Sequence, residues 1–138
     1  MRRAFTLVEL IVVVIIIGIL LSIGIPQYRK ALERSRGAEG YASLGHIQEA
    51  EKIYFASNEV YLPTASPMPA ADQQTLDISL PQSGWSFGVV LGALPATFTA
   101  TATRTGGGPC AATIMTVDQR GTLTERGVNY WRDCVDGL

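Results

Sequence analysis

The most prominent feature of the chain is an apolar run over residues 5–25, in which Glu9 is the one charged residue among 21. About 20 apolar residues are enough for a helix to cross a bilayer. A buried strand usually extends over only about 4–8 residues, and a lone strand cannot satisfy its backbone hydrogen bonds in lipid. The pattern therefore predicts a membrane-spanning helix.

A cleaved secretory signal peptide is the alternative interpretation of this run. Arg2 and Arg3 supply the basic start that such a peptide needs. However, the run is longer than the usual 7–15 residues or so, Glu9 interrupts it, and residues 26–30 make a poor cleavage site. We therefore favour a helix that is retained.

Residues 28–56 continue the helical pattern without a proline and become amphipathic. Four apolar residues recur every three or four positions, which places them on one face of a helix: Leu44, Ile47, Ala50 and Tyr54. A single helix over residues 5–56 would be roughly 75 Å long at about 1.5 Å per residue. One small domain cannot cover such a helix, so much of it must contact lipid or other subunits.

Residues 57–84 are predicted to be a connecting loop. Prolines with polar residues between them interrupt regular structure at four positions: Pro63, Pro67, Pro69 and Pro81. At most a short turn or strand is expected there, at residues 76–80.

The last part of the chain is predicted to form a small antiparallel sheet. Residues 97–103 alternate threonine with apolar side chains, which is typical of a half-buried strand. Residues 118–121 are suited to a tight hairpin turn. The candidate strands are residues 85–91, 97–103, 111–117 and 122–125. The predicted fold class is therefore α+β, with a long N-terminal helix packed on a small antiparallel β-sheet.

Composition restricts the classes of function. The chain has 138 residues, of which 47% are hydrophobic and 17% charged, against about 25% charged in an average soluble domain. This deficit agrees with a segment in lipid. The net charge of −1 gives no indication of a nucleic-acid partner. With one histidine and two cysteines, we expect no metal site and no cofactor.

The distribution of positive charge does not give a simple membrane orientation. Arg2 and Arg3 favour a cytoplasmic N-terminus. Four further cations follow the apolar run directly and favour the opposite topology: Arg29, Lys30, Arg34 and Arg36.

The sequence AFTLVEL at residues 4–10, followed by the apolar run, resembles the N-terminus of type IV pilins and the related pseudopilins. The match includes a short basic leader at residues 1–4, an aromatic first mature residue at Phe5, and Glu9 at the fifth mature position. Gly18 and Pro26 within the helix, and Tyr28 after it, also match. The resemblance covers about the first 55 residues, and beyond them only the architecture is similar.

The resemblance implies processing and assembly roles at the N-terminus. A prepilin peptidase would cut between Ala4, which stands where the family usually has glycine, and Phe5, whose new amine would be methylated. The carboxylate of Glu9 would pair with this amine of a neighbouring subunit. The alternative for Glu9 is a carboxylate that stays hydrated near the helix end.

The resemblance also implies that the helix melts locally when subunits pack into a filament. The residues concerned are Gly18, Ser22, Gly24 and Pro26. Proline removes one helical hydrogen bond and clashes with the preceding turn. The alternative is an ordinary kinked membrane helix.

A division into five segments follows from the pattern and the resemblance together. Residues 1–4 are the leader and residues 5–26 the transmembrane or filament-core helix. The amphipathic half of the helix, the connecting loop and the sheet with its C-terminal loop follow at residues 27–56, 57–84 and 85–138.

The function that the resemblance implies is structural. The chain is expected to be a type IV pilus subunit that is held in the inner membrane as a precursor and then assembles into a homo-oligomeric surface filament. Prepilin peptidase and the pilus assembly machinery are the expected partners, and neither catalysis nor nucleic-acid binding is expected. A pseudopilin of a type II secretion system is the main alternative, and a membrane-anchored enzyme or binding module is a third.

Cys110 and Cys134 lie 24 positions apart without a CxxC motif. In a domain exported to an oxidising compartment, such a pair is typical of a structural disulfide that closes the C-terminal loop. Two free buried thiols are the alternative. We predict that Trp131 packs the C-terminal loop beside this disulfide.

Overall fold

The structure, a computed structural model, describes residues 5–81, 84–92, 97–127 and 129–138. It combines one long helix with a four-stranded antiparallel sheet, which confirms the predicted α+β class. The elements in chain order are α1 (Leu7–Asn58), α2 (Ala70–Thr75), β1 (Trp85–Leu91), β2 (Phe98–Arg104), β3 (Ile114–Asp118), β4 (Leu123–Thr124) and α3 (Trp131–Asp136).

Helix α1 is 52 residues long and has clear signals at both ends. At its start, the Thr6 hydroxyl accepts a hydrogen bond from the Glu9 N–H, as in a helix N-cap. At its end, Glu59 takes a left-handed conformation with φ of 60° and donates its N–H to the Phe55 carbonyl. The helix therefore begins and ends two residues later than the sequence pattern predicts, and Pro26 lies inside it.

The sheet has the order β1-β2-β3-β4, with every neighbouring pair antiparallel. Strand β1 has the predicted bounds, and β2 lies one residue later than predicted. Strand β3 begins at Ile114 rather than at residue 111, because the chain turns at residues 109–112 and Ala112 adopts φ of 64°. Strand β4 is only Leu123–Thr124.

The core lies between the C-terminal half of α1 and the inner face of the sheet. Leu44 and Ile47 of α1 are fully buried, as are Ala100 and Ala102 of β2 and Met115 of β3. The small alanine side chains leave room for the helix to approach the sheet closely. Between the buried positions of β2, its threonines point to the opposite, outer face of the sheet.

Two short helices correct the sequence prediction. Helix α2 lies in the segment predicted to be loop. Of the short turn or strand expected at residues 76–80, the structure has the turn, at residues 76–77. Helix α3 lies in the predicted C-terminal loop and buries Trp131 and Val135 on one side. Each helix has only six residues, too few to give a clear periodic signal in the sequence.

Candidate functional site

The first half of α1 is an exposed apolar surface. Every side chain from residue 5 to residue 29 is exposed to solvent in the isolated chain. Helix α1 is long and apolar enough to cross a membrane, by length and composition. A surface of this size needs lipid or other chains to cover it.

Glu9 lies in the first turn of α1, beside Phe5, at the end of this apolar surface. The Glu9 N–H donates to the Thr6 hydroxyl over 3.3 Å, and that hydroxyl donates to a Glu9 carboxylate oxygen over 3.4 Å. Within the described residues, the Glu9 carboxylate contacts no cation. The first turn is favourable for a negative charge because of the helix dipole. Ala4 and the rest of the leader lie outside the described residues.

The residues predicted to melt are helical in the isolated chain. Gly18, Ser22, Gly24 and Pro26 all lie within α1. The Ser22 hydroxyl donates to the Ile19 carbonyl over 2.7 Å. Pro26 cannot donate to the Ser22 carbonyl four residues earlier, so the backbone hydrogen bonding is weakest here. Melting of this segment stays a prediction.

The second half of α1 has two opposite faces of different character. The face toward the sheet is buried and includes Glu33, Gly37, Gly40, Leu44 and Ile47. On the opposite face, a row of small side chains is exposed, which we call the outward stripe: Ala31, Ser35, Ala38, Ala42 and Gly45. Small side chains let a second helix approach closely.

A buried ionic cluster joins α1 to the sheet. The Glu33 carboxylate accepts a hydrogen bond from Arg36 Nη1 over 2.6 Å, and its other oxygen lies 3.6 Å from Arg104 Nε. Arg104 Nη1 donates to the Gly84 carbonyl over 2.7 Å, and the Trp85 indole N–H donates to the Arg36 carbonyl over 3.0 Å. Sequence reasoning missed this cluster, although Glu33 lies at helical spacing from Gly37, Gly40 and Leu44 on the buried face.

The C-terminal helix is attached to α1 by packing and by a covalent bond. Cys110 and Cys134 form a disulfide, which confirms the predicted pair. The Trp131 indole lies against Gly37 so closely that a methyl group at this glycine would overlap it. The rings of Trp131 and Tyr41 meet edge to face at 5.7 Å. The sequence predicts that Trp131 packs the C-terminal loop beside the disulfide, and its contact with α1 is an addition from the structure.

Glu51 is a second buried carboxylate on α1. It is fully buried, and one carboxylate oxygen accepts the Leu62 N–H over 2.9 Å. The other oxygen has no hydrogen-bond partner in the described part of the chain. Burial raises the pKa of Glu51 to about 7, against a usual value of 4.5. The hydrogen bond from the Leu62 N–H to Glu51 fixes the start of the loop that follows α1.

Metal and catalytic sites each require particular side chains to lie close together. No three His, Cys, Asp or Glu side chains of the described residues converge as metal ligands. A cavity of about 260 Å³ is lined by Arg36 and Arg104 of the ionic cluster and by their neighbours, with no Ser, Thr or Cys among the lining residues. His46 is exposed on α1.

Comparison with known proteins agrees with the geometry of the N-terminus. Residues 1–25 match the family described as the prokaryotic N-terminal methylation motif. The chain is 38% identical over 73 residues to the type IV major pilin protein PilA of Myxococcus xanthus, covering 53% of this chain and 33% of that protein. The resemblance to type IV pilins is confirmed.

Type IV major fimbrial proteins FimA of Dichelobacter nodosus show about the same percentage identity over a somewhat shorter stretch. One is 41% identical over 58 residues, which is 42% of this chain and 34% of the fimbrial protein. The aligned part of the chain thus spans about a third of the length of these pilin relatives. No solved structure matches the chain.

The match to the methylation motif covers only part of the candidate site. Ala4, Phe5, Glu9, Gly18 and Gly24 lie within residues 1–25. The ionic cluster, the outward stripe and the disulfide lie outside this segment. The match to the methylation motif therefore bears on the N-terminal half of α1, whereas the pilin relatives align over longer stretches of 73 and 58 residues.

Proposed function

We propose that the chain is a structural subunit of a type IV pilus that polymerises through its N-terminal hydrophobic helix. The observation that carries the proposal is the methylation motif at the start of a helix whose first half leaves its apolar side chains uncovered. Relatives named as major pilin and fimbrial proteins support it. The function is assembly, not catalysis.

The first step is processing of the precursor. Prepilin peptidase cuts between Ala4 and Phe5, and the new amine of Phe5 is methylated. An α-amino group is largely cationic near neutral pH, and methylation keeps this charge. The mature chain then carries a cation at Phe5, just before α1 begins, and an anion at Glu9, in the first turn of α1.

The second step is docking of a subunit from the membrane onto the growing filament. A carboxylate in lipid is unfavourable by a few kcal/mol unless it has a partner. Glu9 meets the Phe5 amine of a neighbouring subunit, and pairing the two charges sets the axial position of the incoming chain. The pilus assembly machinery lifts the subunit out of the inner membrane.

The third step is packing of α1 against its neighbours. The apolar first halves bundle as the filament core, and the outward stripe lets the second halves approach closely. The residues around Pro26 then melt locally, since their helical hydrogen bonding is weakest. We call the part of the chain that follows α1, with the sheet, α2 and α3, the head. The heads lie at the outside of a homo-oligomeric surface filament.

A pseudopilin of a type II secretion system is the second candidate, because the same N-terminal motif serves both. Closure of the C-terminal loop by the Cys110–Cys134 disulfide favours the pilin. Major pseudopilins are expected instead to hold calcium in this loop, and no cluster of metal ligands lies among the described residues.

The test is electron microscopy of filaments sheared from the cell surface, with mass spectrometry of their subunit. We expect long filaments whose subunit begins with a methylated Phe5 and contains one disulfide. Short assemblies confined to the cell envelope would favour the pseudopilin. A filament subunit that still begins with Met1 would contradict the proposed processing.

A further inference from the structure

Three cations lie on α1 immediately after its apolar half, and we call them the basic collar: Arg29, Lys30 and Arg34. Arg29 and Arg34 are exposed and have no ion-pair partner within the described ranges. The Lys30 ammonium donates over 3.4 Å to the Asp136 carbonyl, at the C-terminal end of α3. Arg36 differs from the collar, because it binds Glu33 in the ionic cluster.

Arg29 and Lys30 lie at the height of the lipid headgroups if the apolar half of α1 spans the bilayer, and Arg34 lies about one helical turn further out. Arg29, Lys30 and Arg34 follow Ile25 by about 6, 7.5 and 13.5 Å along the helix axis, at about 1.5 Å per residue. The headgroup layer extends about 5–7 Å beyond the hydrocarbon on each side. Helical side chains tilt toward the N-terminus, so these long side chains point back toward the membrane.

The head places the collar beside the membrane surface. The contact between Lys30 and Asp136 brings the end of α3 down to this level. Arg29 lies one turn before Glu33, on the face of α1 that the head covers from Glu33 onward. The guanidinium of Arg29 is therefore directed into the space between the head and the lipid. Neighbouring helices that use the outward stripe approach the other side of α1.

We propose that the basic collar binds the phosphate groups of anionic phospholipids in the leaflet on the head side of the membrane. The proposal rests on the proposed function in one respect, which is that the subunit is held in a membrane before assembly. The collar explains why cations follow the span on the side where the head lies. These cations hold lipid phosphates and fix the height of the head, and the contacts break when the subunit leaves the bilayer.

The test uses the full-length chain in a non-ionic detergent, without any filament. Phosphatidylglycerol or phosphatidylcholine with the same acyl chains is titrated in, and native mass spectrometry measures the lipid that stays bound. A cation near an anionic surface strengthens binding by about fivefold. We therefore expect the double variant Arg29→Gln/Arg34→Gln to bind phosphatidylglycerol about 25-fold more weakly, with phosphatidylcholine unchanged.

The matched control removes two exposed cations far from the membrane, Lys52 and Arg120. Lys52 lies about 34 Å further along α1 than Arg29. The Gln48 amide oxygen accepts hydrogen bonds from the Lys52 ammonium over 3.1 Å and from the N–H of Gly121, the residue after Arg120, over 2.8 Å. We expect Lys52→Gln/Arg120→Gln to bind phosphatidylglycerol within twofold of the unmodified chain.

Conservative replacement separates charge from folding. Arg29→Lys/Arg34→Lys keeps both charges and is expected to keep most of the preference for phosphatidylglycerol, even if the neutral double variant folds poorly. Equal binding of the two lipids by the unmodified chain would overturn the proposal, whether or not it forms filaments. If the neutral variant keeps its preference for phosphatidylglycerol, the lipid site is wrong. A loss of surface filaments by the same variant in cells would then assign the collar to acidic groups of a neighbouring subunit.

Discussion

The first half of α1 exposes its apolar side chains. The second half buries the apolar side chains of one helix face against the head. Leu10 and Ile23 are 60% and 66% exposed, but Leu44 and Ile47 are 0% exposed. Both halves follow the same helical geometry, so the difference lies in what covers them. The second half is stabilised by its own chain, and the first half depends on lipid or on other subunits.

The carboxylates of the two halves differ in the same way. Glu33 lies between two arginines of its own chain, and Glu51 accepts a backbone hydrogen bond. Glu9 finds only the Thr6 hydroxyl within the described residues. The buried carboxylates on the second half of α1 therefore have partners within the fold, whereas Glu9 needs a partner from outside the chain.

The strongest test of this contrast is Glu9→Gln, which removes the charge and keeps the size. Loss of one member of a buried ion pair is unfavourable by roughly 3–5 kcal/mol, because the other charge stays unpaired. Docking of each subunit is then disfavoured by a factor of hundreds, while insertion into lipid is unaffected or improved. We expect processed subunits in the inner membrane and no filaments, measured by membrane fractionation and shearing.

The control for Glu9 is Glu59→Gln, which removes an exposed carboxylate at the other end of α1. This variant is expected to give normal filaments. Co-expression of Glu9→Gln with the unmodified chain is expected to place a few variant copies in filaments. A normal filament yield from Glu9→Gln alone would show that the charge pair does not drive assembly.

Removal of the disulfide tests how far the head stabilises itself. Replacing Cys110 and Cys134 with serine opens a loop of about 25 residues and lowers the free energy of unfolding by about 3.5 kcal/mol in the chain-entropy model. Chemical unfolding of the full-length chain in detergent, followed by fluorescence of the buried Trp85 and Trp131, measures the loss. An unchanged unfolding midpoint would mean that packing of α3 is sufficient without the bond.

Two glycines on opposite faces of α1 test the contrast within one helix. Gly37→Ala places a methyl group into the Trp131 ring and should lower the free energy of unfolding by about 1–3 kcal/mol. Gly45→Ala meets nothing within 4 Å and should raise it by up to about 1 kcal/mol through helix propensity. The same fluorescence measurement compares them, and equal effects would contradict the packing of Trp131 on Gly37.

Glu51 gives an effect that depends on pH. Burial raises the pKa of Glu51 to about 7, so the folded chain keeps a proton that the unfolded chain loses near pH 4.5. The free energy of unfolding therefore falls as pH rises between these values, by at most about 1.4 kcal/mol per pH unit, and levels off above them.

Glu51→Gln isolates this contribution, because glutamine cannot ionise. We expect this variant to lose that part of the pH dependence and to be more stable than the unmodified chain at pH 8. Thermal unfolding at pH 5 and pH 8 measures the difference, with the exposed Glu49→Gln as control. Parallel pH profiles for Glu51→Gln and the unmodified chain would show that Glu51 is already ionised in the folded state.

The sequence by itself determined the features that depend on local pattern. The 21-residue apolar run, the helical period after it and the Pro-rich break predict α1 to within two residues at each end. Strand β1 has the predicted bounds. The motif around Glu9 carries the pilin resemblance. Such signals are contained in neighbouring residues, so a single sequence is sufficient to find them.

Only the tertiary structure decided which residues meet across the chain. Glu33 contacts Arg104, and Trp131 packs on Gly37, although these residues are far apart in sequence. Glu51 is buried although no local pattern indicates it. Helices α2 and α3 are too short for a periodic pattern and form in the context of the folded head. These contacts depend on how the sheet packs on α1, which no local pattern encodes.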